Sequence, residues 1–239
     1  MTSVEMEIEF DILYDKITNF AAPGYSQLEK SIFLTKAQDR VVLQEYNPQG
    51  NKYLTGFEAT EQRRKDLQEL VVGTTITTPS TVQTNVLPEG MFFDLPSDCL
   101  YALSEEITAS SEDDCLDGKR YKVKPITHDE YSINITNPFK KPFANPADGL
   151  LWRLDYNGRR HEIIKPSNIN IGTYHLRYLK RPSPIIIGTN TVNSVAGPLN
   201  CVLNNILHPR IIDEAVKIAT GITDPQFYQM KQAEKQQGE

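Results

Sequence analysis

Two short stretches put histidine beside carboxylates, the minimum for acid–base or metal chemistry: His128-Asp129-Glu130 and His161-Glu162. Acid–base catalysis needs a donor and an acceptor within reach of one reacting atom, and a metal needs several ligands converging on one point. His161 and Glu162 fall in a stretch of strand-like alternation. Neighbours there point to opposite faces, so the two side chains do not converge. The sequence contains no HExxH, GxSxG, P-loop or GxGxxG motif. Cys99, Cys115 and Cys201 are odd in number, widely spaced and form no CxxC pair. They read as buried or half-buried thiols of a reducing compartment rather than zinc ligands. The expectation is therefore a chain without catalytic residues, without a metal and without a cofactor, and not an enzyme.

The cations are more informative. In KRYKVK, Arg120, Lys122 and Lys124 share one strand face while Tyr121 and Val123 share the other. Lys140-Lys141, Arg159-Arg160 and Lys180-Arg181 add basic pairs at loops or turns, next to prolines in NPFKKP and LKRPSP. Acidic groups lie elsewhere, at Glu105-Glu106 and in the loop Glu112, Asp113, Asp114. One reading is a solvated sheet face. The other is a pair of complementary patches for a neighbouring subunit, which a head-to-tail ring requires. Arg120, Lys122, Lys124, Lys140, Lys141, Lys180 and Arg181 are the residues assigned to such contacts. Phe227, Tyr228 and Met230 are the apolar residues of an otherwise polar C-terminal segment, and are assigned to docking on a partner.

These groups need elements to position them. Phe10, Leu13, Ile17 and Phe20 recur at helical spacing, and Pro23-Gly24 stops that helix. Ser26 and Glu29 form a capping box for a second helix, with Leu28, Ile32, Ala37 and Val41 as its apolar stripe and Asn47-Pro48 as its end. Thr55 and Glu58 repeat the box before a third helix reaching Leu70. From Val72 to Ile187 the period changes to two. The Thr-rich stretch from Val71 suits an edge strand or arm, Asp117-Gly118 and Asn157-Gly158 mark hairpins, and GLLWRLDY and TYHLRYLK alternate. His208-Pro209 opens a last helix with Ile212, Ala215, Val216 and Ala219 on its apolar face and Gly221 at its end. The fold class is α+β: N-terminal and C-terminal helices forming a bundle, and a central antiparallel meander as a β sandwich or partly open barrel. The expected divisions are a helical part at 1–71, a β domain at 72–190, and C-terminal helices at 191–239 that return to the helical body.

Composition narrows the function. The chain has 239 residues, 39% hydrophobic and 23% charged, with net charge −6. That balance suits a folded domain and argues against a dedicated nucleic-acid binder, which carries a basic surplus. No apolar run approaches the length of a membrane helix, and the acidic N-terminus lacks a signal-peptide pattern.

The order of segments resembles the head-to-tail connector (adaptor, or tubular tail) proteins of short-tailed, crAss-like bacteriophages. The resembling stretches are FDILYDKITNFAAPGYSQLEKSIFLTKAQDRVVLQEYN, FEATEQRRKDLQELV, NPFKKP, LLWRLDY, TYHLRYLKRPSPIII and LHPRIIDEAVKIA. The resemblance implies a virion protein of the neck, present in the host cytoplasm during assembly. It implies a ring of about twelve copies under the portal protein, joined to other neck or tail rings. DNA would pass through the channel without sequence-specific binding, and no membrane is involved. The alternatives are another neck or tail ring or nozzle subunit, and a carbohydrate- or receptor-binding β module built on the 11 tyrosines.

Overall fold

The computed structural model describes residues 1–18, 24–47, 61–80, 87, 89–156 and 159–223, without the side chains of 16–18, 63, 222 and 223. Contacts divide the chain into two compact units, residues 1–70 with 182–239, and residues 71–181.

The first unit is helical: α1 (Ser3–Thr18), α2 (Gln27–Tyr46), α3 (Glu61–Asp66) with a 3-10 turn at Gln68–Leu70, and α5 (His208–Thr223). The capping box at Ser26 is formed. The Ser26 hydroxyl accepts from the Glu29 N–H, and the Glu29 carboxylate accepts from the Ser26 N–H. Asn47 caps the other end. Ser26→Ala should lower the stability of this unit by about 1 kcal/mol, read from helical circular dichroism in denaturant.

The buried face of α2 differs from the stripe expected. Leu28 is exposed, and the buried face runs through Ser31, Phe33, Leu34, Thr35, Ala37, Gln38, Val41 and Val42. Its polar members have a backbone to hold. The Ser31 hydroxyl accepts from Ile187 N–H at 3.0 Å, the Thr35 hydroxyl accepts from Ile185 N–H at 3.2 Å, and the Gln38 amide donates to Ser183 O at 2.8 Å. An extended segment is thereby fixed along the helix, with Ile185, Ile186 and Ile187 fully buried. This satisfies backbone groups that burial would otherwise leave unpaired. Met6, Phe10 and Tyr14 of α1 are buried, and Phe10 and Phe33 stack at 6.4 Å. Ile212, Ala215, Val216 and Ala219 are buried on α5 as expected. Gly221 does not end that helix, which runs through it to Thr223. Gly221 is not in the left-handed conformation a glycine cap requires, and one glycine within a helix costs only about 1 kcal/mol. A small hairpin of β9 (Thr191–Val192) and β10 (Val195–Ala196) completes the unit, its turn made by left-handed Asn193 and Ser194. Phe20, Pro23, Pro48, and the Thr55/Glu58 box lie outside the described residues.

The second unit is a sheet of β1 (Val71–Ile76), β2 (Gly90–Asp94), β3 (Cys99–Ser110), β4 (Arg120–Pro125), β5 (Phe143–Ala144), β6 (Gly149–Tyr156), β7 (Arg160–Ile164) and β8 (Asn170–Lys180), with α4 (His128–Asn134) between β4 and β5. The order is β1-β8-β3-β4-β6-β7-β2, with β5 beside β6. The Thr-rich strand is at the edge, as expected. The sheet is not a simple meander. β4 and β6 are parallel, because the chain crosses between them through α4, and β8 inserts between β1 and β3. Gly118, with φ 69°, turns the β3–β4 hairpin at Asp117-Gly118. Asn157-Gly158 lie outside the described residues, between the antiparallel strands β6 and β7.

The sheet curls into a half-barrel. Strands β7 and β8 are four spacings apart along the path, about 19 Å if the sheet were flat. Yet His161 Nδ1 on β7 lies 2.8 Å from the Tyr174 hydroxyl on β8. Past the end of β1, Ser80 N–H donates to Phe92 O on β2, linking the two edges at 2.8 Å. The inner face holds Phe93, Ile107, Tyr121, Leu151, Ile163, Tyr174 and Leu176. A second apolar cluster of Trp152, Leu154 and Ile164 lies on the outer face, packed against Tyr131 and Ile135 from α4 and the residue after it. The α+β class with a curled, mostly antiparallel sheet is thus observed.

Candidate assembly interface

The titratable side chains that converge do so inside the half-barrel. Glu105, Arg153, His161 and Tyr174 come from β3, β6, β7 and β8. The Tyr174 hydroxyl donates to Glu105 Oε1, and Arg153 Nη1 donates to Glu105 Oε2 at 2.5 Å. His161 Nδ1 lies 2.8 Å from the Tyr174 oxygen and 3.1 Å from Glu105 Oε1. The single tyrosine proton goes to Glu105, so His161 carries its hydrogen on Nδ1 and donates it. His161 Nε2 faces Asp155 Oδ1 at 3.4 Å.

Glu105 and His161 are buried, and this arrangement does structural work. Burial pushes the Glu105 carboxyl up, but the His161 hydrogen bond, the Arg153 charge and the Tyr174 hydrogen bond together hold it below the usual carboxylate range. Burial and the adjacent Glu105 charge push the Tyr174 phenol up. A carboxyl lowered in the folded state contributes stability that is complete above its unfolded pKa of about 4.3 and is lost as pH falls through the folded value. The half-barrel should therefore loosen below about pH 4. Trp152 is the chain's single tryptophan and belongs to this unit, so its fluorescence reports the transition. Glu105→Gln should flatten that acid limb. Glu162 has the opposite sign: burial raises its carboxyl, so its protonation favours the fold.

Sequence reasoning placed Glu105 and Glu106 together in an acidic patch; the strand separates them. Glu106 is on the outer face, 3.8 Å from Arg120. Glu105 shares the inner face with Ile107 two residues on, a parity visible in the sequence. His128, Asp129 and Glu130 form the first turn of α4, an element the sequence reading missed. Thr127 is its N-cap and Glu130 completes the box. The T-x-x-E spacing was the available signal. No cluster that could hold a metal exists among the described residues. Cys99 and Cys201 are half-buried, their thiols pushed up to about 11 by burial, whereas Cys115 is exposed, contrary to expectation.

The basic row is as expected. Arg120, Lys122 and Lys124 are exposed on the outer face of β4, while Tyr121 and Val123 are buried on the inner. Lys122 is level with Leu150 on β6, and Leu150 with Phe143 on β5, so all three share the outer face. Lys140 and Lys141 are exposed in the loop just before β5, and are therefore brought to the same end of the sheet as the row. Lys180 and Arg181 are not. Lys180 pairs with Cys99, nine residues along β3 from Thr108, which pairs with Arg120. That separation is roughly 30 Å along the strand. Arg160 is neutralised by Asp94 at 2.7 Å, and Arg159 donates to Ser97 O. Phe227, Tyr228 and Met230 lie outside the described residues.

Two open hollows flank this region. One of about 470 Å³ runs over the outer face and is lined by Thr75, Glu106, Arg120, His175 and Arg177 among others. The other, of about 490 Å³, lies between Tyr131, Ile135, Phe143 and Pro166. Sequence reasoning also passed over exposed apolar side chains: Phe139 and Ile133 around the basic loop, and Val4, Ile8 and Ile12 on α1. Trp152, Tyr174 and Tyr178, which a sugar-binding surface would present, are buried. No helix among the described residues is long and apolar enough to cross a membrane.

Comparison with known proteins places these surfaces in context. Residues 1–228 match the model of a family described as phage tail ring protein 3/4. The chain is 33% identical over 226 residues to "Ring protein 4/5" of Bacteroides phage crAss001, covering 90% of each chain. It is 30% identical over 224 residues to "Ring protein 3" of the same phage, covering 92% of this chain and 95% of that one.

Proposed function

Because the chain belongs to the phage tail ring protein 3/4 family, and so is a structural ring subunit of the tail or neck of a crAss-like phage virion, we propose that it acts as a head-to-tail connector. In this reading about twelve copies form a ring coaxial with the portal protein, extend its channel and link capsid to tail. The observation that carries the reading is the reach of the family match, which spans residues of both compact units. Two further features support it. The outer face of the half-barrel carries Arg120, Lys122 and Lys124, with Lys140 and Lys141 exposed in the loop that leads into neighbouring β5, a set of cations suited to an acidic neighbour. The net charge of −6 argues against a chain built to hold DNA by its phosphates, as expected of a subunit that DNA passes.

A second reading, a ring further down the tail that contacts other rings and not the portal, is favoured by the relatives' names, which number rings 3 and 4/5. Native mass spectrometry of the chain, alone and mixed with the portal ring, separates the two. The connector reading predicts one portal complex carrying a full ring of this chain. Absence of binding to the portal, with binding to another tail ring, would establish the second reading instead. In either case Phe227, Tyr228 and Met230 are proposed as the docking aromatics, and deletion of residues 224–239 should weaken binding to the partner ring by at least about tenfold.

A further inference from the structure

We propose that copies of this chain join head to tail by seating the Phe139 loop of one copy on the outer stripe of α1 of the next, an inference that rests on the ring reading above.

On α1, Val4, Ile8 and Ile12 follow one another at four-residue spacing and are 55%, 55% and 60% exposed. They form a second apolar stripe, on the side of the helix away from buried Met6, Phe10 and Tyr14. Among the described residues nothing covers them, and a row of exposed aliphatic side chains marks a contact surface. Carboxylates rim the stripe. Glu5 and Glu9 follow on one flank. Glu7 and Asp11 lie on the other, where Lys30 holds them at 3.2 and 2.7 Å. Asp15 adds a further charge one turn on.

The other unit carries the counterpart. Phe139 is 95% exposed, with Ile133 and Phe143 also exposed nearby in the chain and Lys140 and Lys141 beside it. The loop is set before any partner arrives. Asn137 Oδ1 accepts from Phe139 N–H at 3.0 Å, and Asn137 O accepts from Lys140 N–H at 3.1 Å and Lys141 N–H at 3.0 Å. Pro138 and Pro142 restrict the backbone on either side. An aromatic held ready in this way loses little freedom on docking, which makes it an effective anchor.

Each patch is apolar at its centre, and their rims carry opposite charge. Pairing either patch with itself would oppose like charges, so the favoured partner is the other patch on another copy. The patches share no residue, so every copy carries both halves of the contact. That is the condition for a closed heterologous ring.

The test uses the full chain assembled into tails with the virus's other structural proteins. Ile8→Cys and Phe139→Cys together should give, on oxidation, a ladder of covalent multimers up to the ring's copy number. Neither single variant should give a ladder beyond the parent's own pattern. Closed rings seen by electron microscopy without a ladder would overturn this contact and leave the ring reading intact. Absence of the chain from any ring would overturn both. Independently, Lys140→Glu with Lys141→Glu should lower incorporation into tails by at least about a hundredfold, and Glu5→Lys with Glu9→Lys in the same chain should restore it. Loss without restoration, with the monomer's melting temperature unchanged, would also overturn the contact.

Discussion

Replacing Glu105 by alanine is expected to destabilise the half-barrel by about 3–5 kcal/mol, the largest effect of any single substitution outside the apolar core. The reason is geometric. Glu105 is the point at which β3, β6, β7 and β8 are tied across the interior, through Arg153, His161 and Tyr174. Its removal leaves the Arg153 guanidinium, itself only 12% exposed, with the solvent-exposed Asp155 carboxylate at 3.1 Å in place of its buried counter-charge, and leaves the Tyr174 proton without its acceptor. Urea unfolding followed by Trp152 fluorescence should show the midpoint fall with little change in slope. Replacing the pair together, Glu105→Leu with Arg153→Met, should recover much of the loss, because an apolar pair carries no desolvation penalty. A Glu105→Ala midpoint equal to that of the parent would show that the network is decorative.

The second large effect concerns assembly. Neutralising Lys140, Lys141, Lys180 and Arg181 together should reduce ring formation by about a hundredfold, or about 2.7 kcal/mol. It should leave the monomer's stability within about 0.5 kcal/mol, since exposed charges contribute little to folding. The structure refines the expectation. Lys140 and Lys141 lie at the end of the sheet that holds Arg120, Lys122 and Lys124, whereas Lys180 and Arg181 lie at the other end of β8. Neutralising the Lys140-Lys141 pair alone should therefore produce most of the loss, and raised salt should mimic it in the parent chain. Sedimentation of assembly mixtures checks both. Unchanged ring formation in the fourfold variant would exclude these cations from the interface.

Local chemistry explains what was legible in the sequence. The Ser26 box, the left-handed turn at Gly118 and the alternation of KRYKVK each depend on a few neighbouring residues, and each appears where the sequence places it. Features that depend on distant partners were misread. The sequence predicts an aliphatic stripe on α2, whereas part of the buried face is polar because it binds the backbone of residues 183–187. Glu105 looked like surface charge until three other strands supplied its partners. α4 was hidden in a region of alternation, although its own capping box is as clear as that of Ser26. The place of β8 between β1 and β3 is a long-range pairing that no local pattern announces. Of the proposed contact residues, the sequence could show that the basic row shares a face. It could not show that β5 brings Lys140 and Lys141 beside that row, because the pairing of Phe143 with Leu150 decides it.

Electron cryomicroscopy of intact virions, with the chain traced along the tail axis, tests the central claim most directly. The ring account predicts a closed, axially symmetric ring of about twelve identical copies surrounding the DNA channel between the capsid and the distal tail. Finding the chain away from the axis, as isolated copies or as an appendage, would contradict it.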